Sequence, residues 1–321
     1  MIQPKTPAIL IHLITASWLD YSRDIGQMIN HFRLPRPLMA VGHSFGGCAL
    51  TGLSLTHPRL FSSLMLIDPV IDKKDSLTTA FFASHSTPAA LSAVRRDKWP
   101  SRDEAAAGFK KSKFYQAWDP KVLNLWIQYG LRTLPSGEVT LATPKAQEVH
   151  TFLRPTFPAY DETGKKLINK DAIPDVDFTY TDDETGMFPL YRPESAEVFR
   201  RLPHVRPSVL YIFGGESYMS TPEKNGAKME RTGTGIGGSG GEKLGRVKKV
   251  IAEGRGHLIP MESPADCAEP MSAWIQDQLA RWWDEEKAYE EWVVKSPEEK
   301  SAIDENLRKF LTKYKKKETK I

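Results

Sequence analysis

Three observations in this 321-residue chain predict an α/β fold built on a parallel sheet. Short apolar runs that read as buried strands alternate with stretches of helical spacing, the pattern of strands joined by crossover helices. A strand, a sharp glycine-flanked turn and a small-residue helix follow one another directly between Pro37 and His57. The alternation is interrupted from about Asp72 to Pro203 by a mostly helical pattern and then resumes, which predicts a helical cap inserted into the sheet domain.

From Ser17 to about Phe32, the residues Trp18, Leu19, Tyr21, Ile25, Met28, Ile29 and Phe32 recur at helical spacing, and the run ends before Leu34-Pro35-Arg36-Pro37. Pro37 to Val41 reads as a buried strand. Gly47, Cys48, Ala49 and Leu50 open a helix that reaches about His57, before Pro58. Leu64-Met65-Leu66-Ile67 is a second buried strand, closed by Asp68-Pro69. In the cap, strand periodicity is weak except at the ambiguous Gly137 to Thr143. Trp99, Trp118 and Trp126 read first as packing groups and second as walls of an apolar substrate pocket.

Core strands return at Ser208 to Phe213, stopped by Gly214-Gly215, and at Val247 to Ile251. Between them, Gly233 to Gly241 contains a G-x-G-x-x-G string. It lacks the strand before it, the helix after it and the following acid that a dinucleotide site requires, so it reads as a flexible loop. Ser263-Pro264 opens a helix toward Trp282-Trp283, with an interruption or kink expected near Pro270. The chain divides into a first core part at 1–71, a cap at 72–203, a second core part at 204–284, and charged helices with a tail at 285–321.

A composition of 40% hydrophobic and 26% charged residues is that of a globular protein with a sizeable core. No run of about 18 apolar residues is present and the first residues lack a secretory signal, so no membrane span and an intracellular location are expected. The net charge is only +4, and much of it comes from Lys313 to Lys317, which reads as a solvated end and not a nucleic-acid surface. Cys48 and Cys267 are too few and too far apart for a disulfide framework and sit in no metal-ligand spacing, so both read as buried thiols. No cofactor or metal is indicated.

The chemistry concentrates at Gly42-His43-Ser44-Phe45-Gly46, a nucleophile elbow of the G-x-S-x-G type that nominates Ser44 as nucleophile. A serine hydroxyl needs a base, and His257 lies in a glycine-bearing loop after the last strand, where the chain order Ser, acid, His requires it. The acid that orients the imidazole has two candidates. Asp68, closing the strand after the elbow, is preferred; Glu216 is the alternative, because the customary aspartate spacing after the penultimate strand falls on Ser217. The backbone N–H of Phe45 is one oxyanion donor, while the early-strand loop that would supply a second has no His-Gly or Gly-Gly signature.

With these motifs in hand, the chain resembles the fungal peroxisomal α/β-hydrolase family that includes the yeast peroxisomal lipase and toxin-biosynthesis hydrolases. The resemblance runs from about Ser17 to the end. It rests on Ser17 to Asp24, Gly42 to Gly47, His57-Pro58-Arg59-Leu60-Phe61, Leu66 to Val70, Arg95 to Arg102, Gly256 to Glu262 and the terminal Thr319-Lys320-Ile321. It implies an α/β-hydrolase fold and a serine esterase or lipase acting on small acyl esters. It also implies a peroxisomal import receptor that reads Thr319, Lys320 and Ile321 as a variant of the Ser-Lys-Leu address. The resemblance departs at the N-terminus, where the family has about four more strands. Ala8 to Ile14 reads either as one replacement strand or as an out-of-frame remnant, and an N-terminally truncated chain, with an incomplete sheet on that side, is the expectation. A catalytically impaired remnant that acts at most as a binding module is the competing expectation.

Overall fold

The computed structural model describes residues 17–73, 87–155, 157–163, 166–172 and 190–315. The strand expected at Ala8 to Ile14 and the terminal Thr319-Lys320-Ile321 lie outside these described residues. The chain forms two compact units, Met1–Trp274 and Ile275–Ile321.

The first described element of the first unit is α1 (Trp18–Phe32), whose start is set by a capping box. The Ser17 hydroxyl accepts from the Leu19 N–H, and the Asp20 carboxylate accepts from the Ser17 N–H at 2.9 Å. Arg33, in the left-handed region at φ 49°, ends the helix. Then come β1 (Met39–His43), α2 (Phe45–Thr56) and β2 (Ser63–Ile67). All five residues of β2 are buried, which is why it reads as an unbroken apolar run and not as an alternation.

The insertion follows. It contains α3 (Pro88–Val94), β3 (Lys98–Trp99), α4 (Arg102–Lys111), α5 (Lys113–Gln116), α6 (Pro120–Tyr129), β4 (Leu131–Thr133), β5 (Val139–Leu141), α7 (Lys145–Phe152), β6 (Arg154–Pro155) and β7 (Leu190–Tyr191). Its strands form two small antiparallel sheets, β3-β5-β4 and β6-β7. The ambiguous Gly137 to Thr143 therefore holds β5, which pairs with β4 around a turn with Gly137 at φ 88°. Trp99, Phe109, Tyr115 and Trp126 pack together, with the Trp99 and Phe109 rings 5.3 Å apart and those of Trp118 and Trp126 5.9 Å apart. The tryptophans are thus packing groups.

The chain returns to the core through α8 (Glu194–Arg201), β8 (Ser208–Gly214), α9 (Pro222–Arg231), β9 (Val247–Ala252) and α10 (Ile259–Glu262). Strands β1, β2, β8 and β9 lie side by side in that order and all run parallel. Among the described residues β1 is an edge, and Val41 on it is 51% exposed. The main core joins Leu64, Leu66, Tyr211 and Phe213 of the sheet to Trp18 and Ile29 of α1, Leu50 and Leu53 of α2, and Val198 and Phe199 of α8.

Where the insertion leaves and rejoins the core, charges are buried and paired. The Asp72 carboxylate binds Lys228 at 3.1 Å and Lys224 at 3.0 Å, and the Asp72 N–H donates to the Ser195 hydroxyl at 3.0 Å. Glu194 Oε1 lies 3.2 Å from Arg192 and 3.7 Å from Arg154, and accepts at 2.9 Å from both the Ser17 hydroxyl and the Trp18 N–H. Asp72, Lys228, Ser195, Glu194, Arg192 and Arg154 are almost fully buried, and pairing and hydrogen bonding offset their desolvation.

The glycine string does not behave as a free loop. Gly233 and Gly235 N–H groups donate to the Leu202 and Pro203 carbonyls, Ser239 N–H to Val205, and Gly240 N–H back to Gly233. Backbone hydrogen bonds hold it along the segment before β8, and Ile236 stands 95% exposed at its tip.

Helix α11 (Pro264–Val293) runs through Pro270 without the expected interruption. The second unit carries its remaining turns, with α12 (Pro297–Ser301) and α13 (Glu305–Lys315). Leu307, Phe310 and Leu311 of α13 are exposed. No helix of the described residues is long and apolar enough to cross a membrane.

The elbow glycines are not equivalent. A Cβ at Gly42 would lie 2.8 Å from backbone atoms of Gly46 and Gly47, and one at Gly47 would lie 2.8 Å from Pro69, whereas Gly46 meets nothing within 4 Å. Gly42→Ala is expected to cost about 1–3 kcal/mol of stability, the range for overpacking. Gly46→Ala is expected to cost less than about 0.5 kcal/mol; urea unfolding of the two variants checks the ranking.

Candidate active site

Successive parallel strands each deliver one group to the same end of the sheet. The chain leaves β1 at Ser44, β2 at Asp68, β8 toward Ser217 and β9 toward His257. This is the carboxyl edge, where open α/β sheets hold their ligands.

Ser44 sits at φ 56° and ψ −126°, a conformation that residues with side chains rarely adopt. Two hydrogen bonds from neighbouring segments keep it there: Ser44 N–H donates to the Ile67 carbonyl at 3.0 Å, and Val70 N–H to the Ser44 carbonyl at 3.1 Å. Strand-to-helix reversal at this point lifts the hydroxyl clear of the sheet. Phe45 is the first residue of α2, so its N–H has no partner inside the helix and is available to a developing anion. Its ring packs between Trp18 at 5.6 Å and Tyr21 at 5.4 Å, which anchors the turn from below. The loop expected to give a second oxyanion donor falls outside the described residues.

His257 is reached from both sides. Its Nε2 lies 3.0 Å from Ser44 Oγ and its Nδ1 lies 2.6 Å from Asp68 Oδ2. The loop that carries it comes very close to the end of β8, since a Cβ at Gly214 would lie 2.3 Å from the Gly256 carbonyl oxygen. Glu262 accepts from the Gly256 N–H at 2.9 Å, and Arg255 pairs with Asp266 at 2.8 Å. His43, the variable residue of the elbow motif, lies 2.8 Å from the His257 carbonyl through Nε2. A carbonyl only accepts, so Nε2 carries the proton. Burial, followed by the neighbouring His257, lowers the His43 pKa from its ordinary 6.5 and favours the neutral ring.

Asp68 is fully buried at φ 40°. Besides His257, it accepts from Ser217 at 2.5 Å, from the Gly214 N–H at 3.3 Å, and from Ser220. Burial alone would raise its pKa. The hydrogen bonds from His257, Ser217 and Ser220 outweigh burial and hold the carboxyl below its ordinary 3.8.

The structure thus brings together Ser44, Asp68 and His257. It leaves Glu216 apart: that side chain is exposed and makes no hydrogen bond among the described residues, while its backbone N–H donates to the Arg255 carbonyl. Ser220, His43 and Tyr218, whose ring lies 5.7 Å from the His257 ring, were not legible as site residues. For Ser217 the signal was its place at the customary acid spacing.

A parallel sheet with this turn, and with serine, acid and histidine in that chain order at its carboxyl edge, defines an α/β-hydrolase-fold protein. No protein-family profile matches the chain. Among curated proteins it is similar to type I acyl-CoA thioesterase mpaH of Penicillium roqueforti, with 38% identity over 301 residues, covering 84% of this chain and 67% of the relative. The mpaH protein of Penicillium brevicompactum is 35% identical over 92% of this chain and 71% of its own length. The abhydrolase domain-containing protein AFT2-1 of Alternaria alternata is 30% identical over 78% and 87%. Of solved structures, the peroxisomal α/β-hydrolase Lpx1 of Saccharomyces cerevisiae superposes with a TM-score of 0.54 at 14% identity, over 91% of this chain and 72% of that one. E-2-(acetamidomethylene)succinate hydrolase gives 0.55 at 14% identity, over 82% and 75%, and both share the fold. The chain belongs to the fungal α/β-hydrolase family that contains the mpaH thioesterases and the Alternaria abhydrolase domain-containing proteins.

A depressed carboxyl pKa stabilises the fold while the group is ionised. The contribution of Asp68 is therefore present above 3.8, the ordinary value, and is lost as pH falls through the lower value of the folded state. Asp68→Asn is expected to be less stable than the parent near pH 7, with the difference narrowing below 3.8. Denaturant unfolding across that range checks the sign.

Proposed function

We propose that the chain is a serine hydrolase of acyl esters and acyl thioesters that works through an acyl-enzyme. The observation that carries the reading is the continuous contact from Ser44 Oγ through His257 to Asp68, at 3.0 and 2.6 Å. His257 Nε2 takes the Ser44 proton as Oγ attacks the acyl carbonyl carbon, and the oxyanion that forms faces the Phe45 N–H. The tetrahedral adduct collapses with expulsion of the alcohol or thiol, which receives the proton from His257. A water then repeats the sequence on the acyl-enzyme, releasing the acid and regenerating Ser44. Asp68 holds the Nδ1–H tautomer and stabilises the imidazolium through each proton transfer.

Thioesters enter the reading because the Penicillium relatives are acyl-CoA thioesterases by name. Segment 72–203 is read as a cap over the serine. One contact supports this: the Asp119 N–H, at the start of α6, donates at 2.8 Å to the Met261 carbonyl just beyond His257. A peroxisomal role is part of the proposal and rests on Thr319-Lys320-Ile321, with a peroxisomal enzyme among the proteins of similar fold.

A fluorophosphonate probe is expected to label the folded protein and to fail with Ser44→Ala. Asp68→Asn is expected to lower turnover of p-nitrophenyl and acyl-CoA substrates by about 10⁴. A folded parent that neither labels nor turns over either substrate class overturns the hydrolase reading in favour of a non-catalytic binding module. For location, a fluorescent protein fused ahead of the chain is expected in peroxisomes of a fungal host and in the cytosol once Thr319-Lys320-Ile321 is removed. Unchanged location after removal refutes the import signal.

A further inference from the structure

Position 217 is where an α/β hydrolase with its acid after the penultimate strand would carry the aspartate. Here that position is serine, and its hydroxyl lies 2.5 Å from the same Asp68 oxygen, Oδ2, that faces His257 Nδ1. Two ionised carboxylates could not share this spacing, whereas a hydroxyl at 217 turns the second acid address into a donor. Its proton is directed. Ser217 Oγ already accepts from the Met219 N–H at 3.1 Å, which leaves its own O–H to point at Asp68. Ser220 takes the other carboxylate oxygen, Oδ1, together with the Gly214 N–H. Ser217 and Ser220 are both nearly buried, so no bulk water replaces either donor.

We propose that Ser217 and Ser220 are positioning residues that hold Asp68 ionised and aimed at His257. This rests on the serine-hydrolase reading for its catalytic consequence and on geometry alone for its electrostatic one. Each hydroxyl fixes one oxygen of a carboxylate whose own backbone stands in an unfavourable region, so together they fix the rotation of the carboxyl plane. The other charged or titratable groups that act on Asp68 are His257 from the loop after β9, His43 from the end of β1, Tyr218 from the loop after β8, and Lys228 on α9. Lys228 is engaged by Asp72 at 3.1 Å. Apart from His257 itself, the two serines are the only side chains seen to donate to Asp68 among the described residues.

The test uses the full chain with ¹³Cγ-labelled aspartate, in the parent, Ser217→Ala, Ser220→Ala and the double variant. The Asp68 carboxyl resonance, assigned by its loss in Asp68→Asn, is followed through an acid titration. Each single variant is expected to raise its midpoint by about one pH unit, and the double variant by more. Ester kcat/KM near pH 7 is expected to fall about tenfold in each, with the acid limb of its pH profile displaced upward. Variants with an unmoved carboxyl midpoint overturn the proposal, even if their Tm falls, because a merely structural role would lower Tm alone. The carboxyl titration needs no turnover. A parent that shows the expected midpoints but hydrolyses nothing fails the enzyme reading and leaves the positioning role standing.

Discussion

One buried anion organises the carboxyl end of the sheet. Asp68 has no exposed surface and receives hydrogen bonds from the loops that follow β8 and β9 as well as from the end of β8 itself. An unpaired carboxylate in that place would cost far more than a single hydrogen bond returns, so each of those segments is committed to satisfying it. The His257 loop, the Ser217 turn and the carboxyl end of β2 are consequently held in one geometry. Ser44 joins the same assembly through the Ile67 carbonyl and Val70 N–H, the residues on either side of the Asp68-Pro69 pair.

The sheet and its helices were legible where a strand is an unbroken buried apolar run and where a helix carries a readable start. Ser17 as a cap and the apolar run at β2 are examples. Ser44, Phe45 and His257 were legible because chain order and a local motif fix them. Between Asp68 and Glu216 the sequence left a choice, and what separates the two is three-dimensional: the end of β2 faces the imidazole, while Glu216 turns to solvent. Ser220 carried no signal at all. Its relevance depends on a contact across 152 residues of chain, made by a turn whose path no local pattern encodes.

Misreadings have physical causes too. The glycine string at Gly233 to Gly241 looked free because glycine composition reports conformational permission, not partners. Its N–H groups are in fact taken up by the Leu202, Pro203 and Val205 carbonyls. Likewise, Pro270 removes one backbone donor from α11, yet the helix continues past it without interruption.

The neck at Asp72 and Ser195 bears on how such a protein diversifies. A 3.0 Å hydrogen bond ties the segment that leaves the core at Asp72 to the start of α8, where the chain returns, and the Glu194 cluster beside it fixes the exit to the first helix. Closing a loop costs free energy that grows only with the logarithm of its length. With both ends already clasped, residues can be gained or lost between them at small thermodynamic cost while the strands that hold Ser44, Asp68 and His257 keep their register. The strands that carry these three residues and the segment inserted between them are thus free to evolve at different rates.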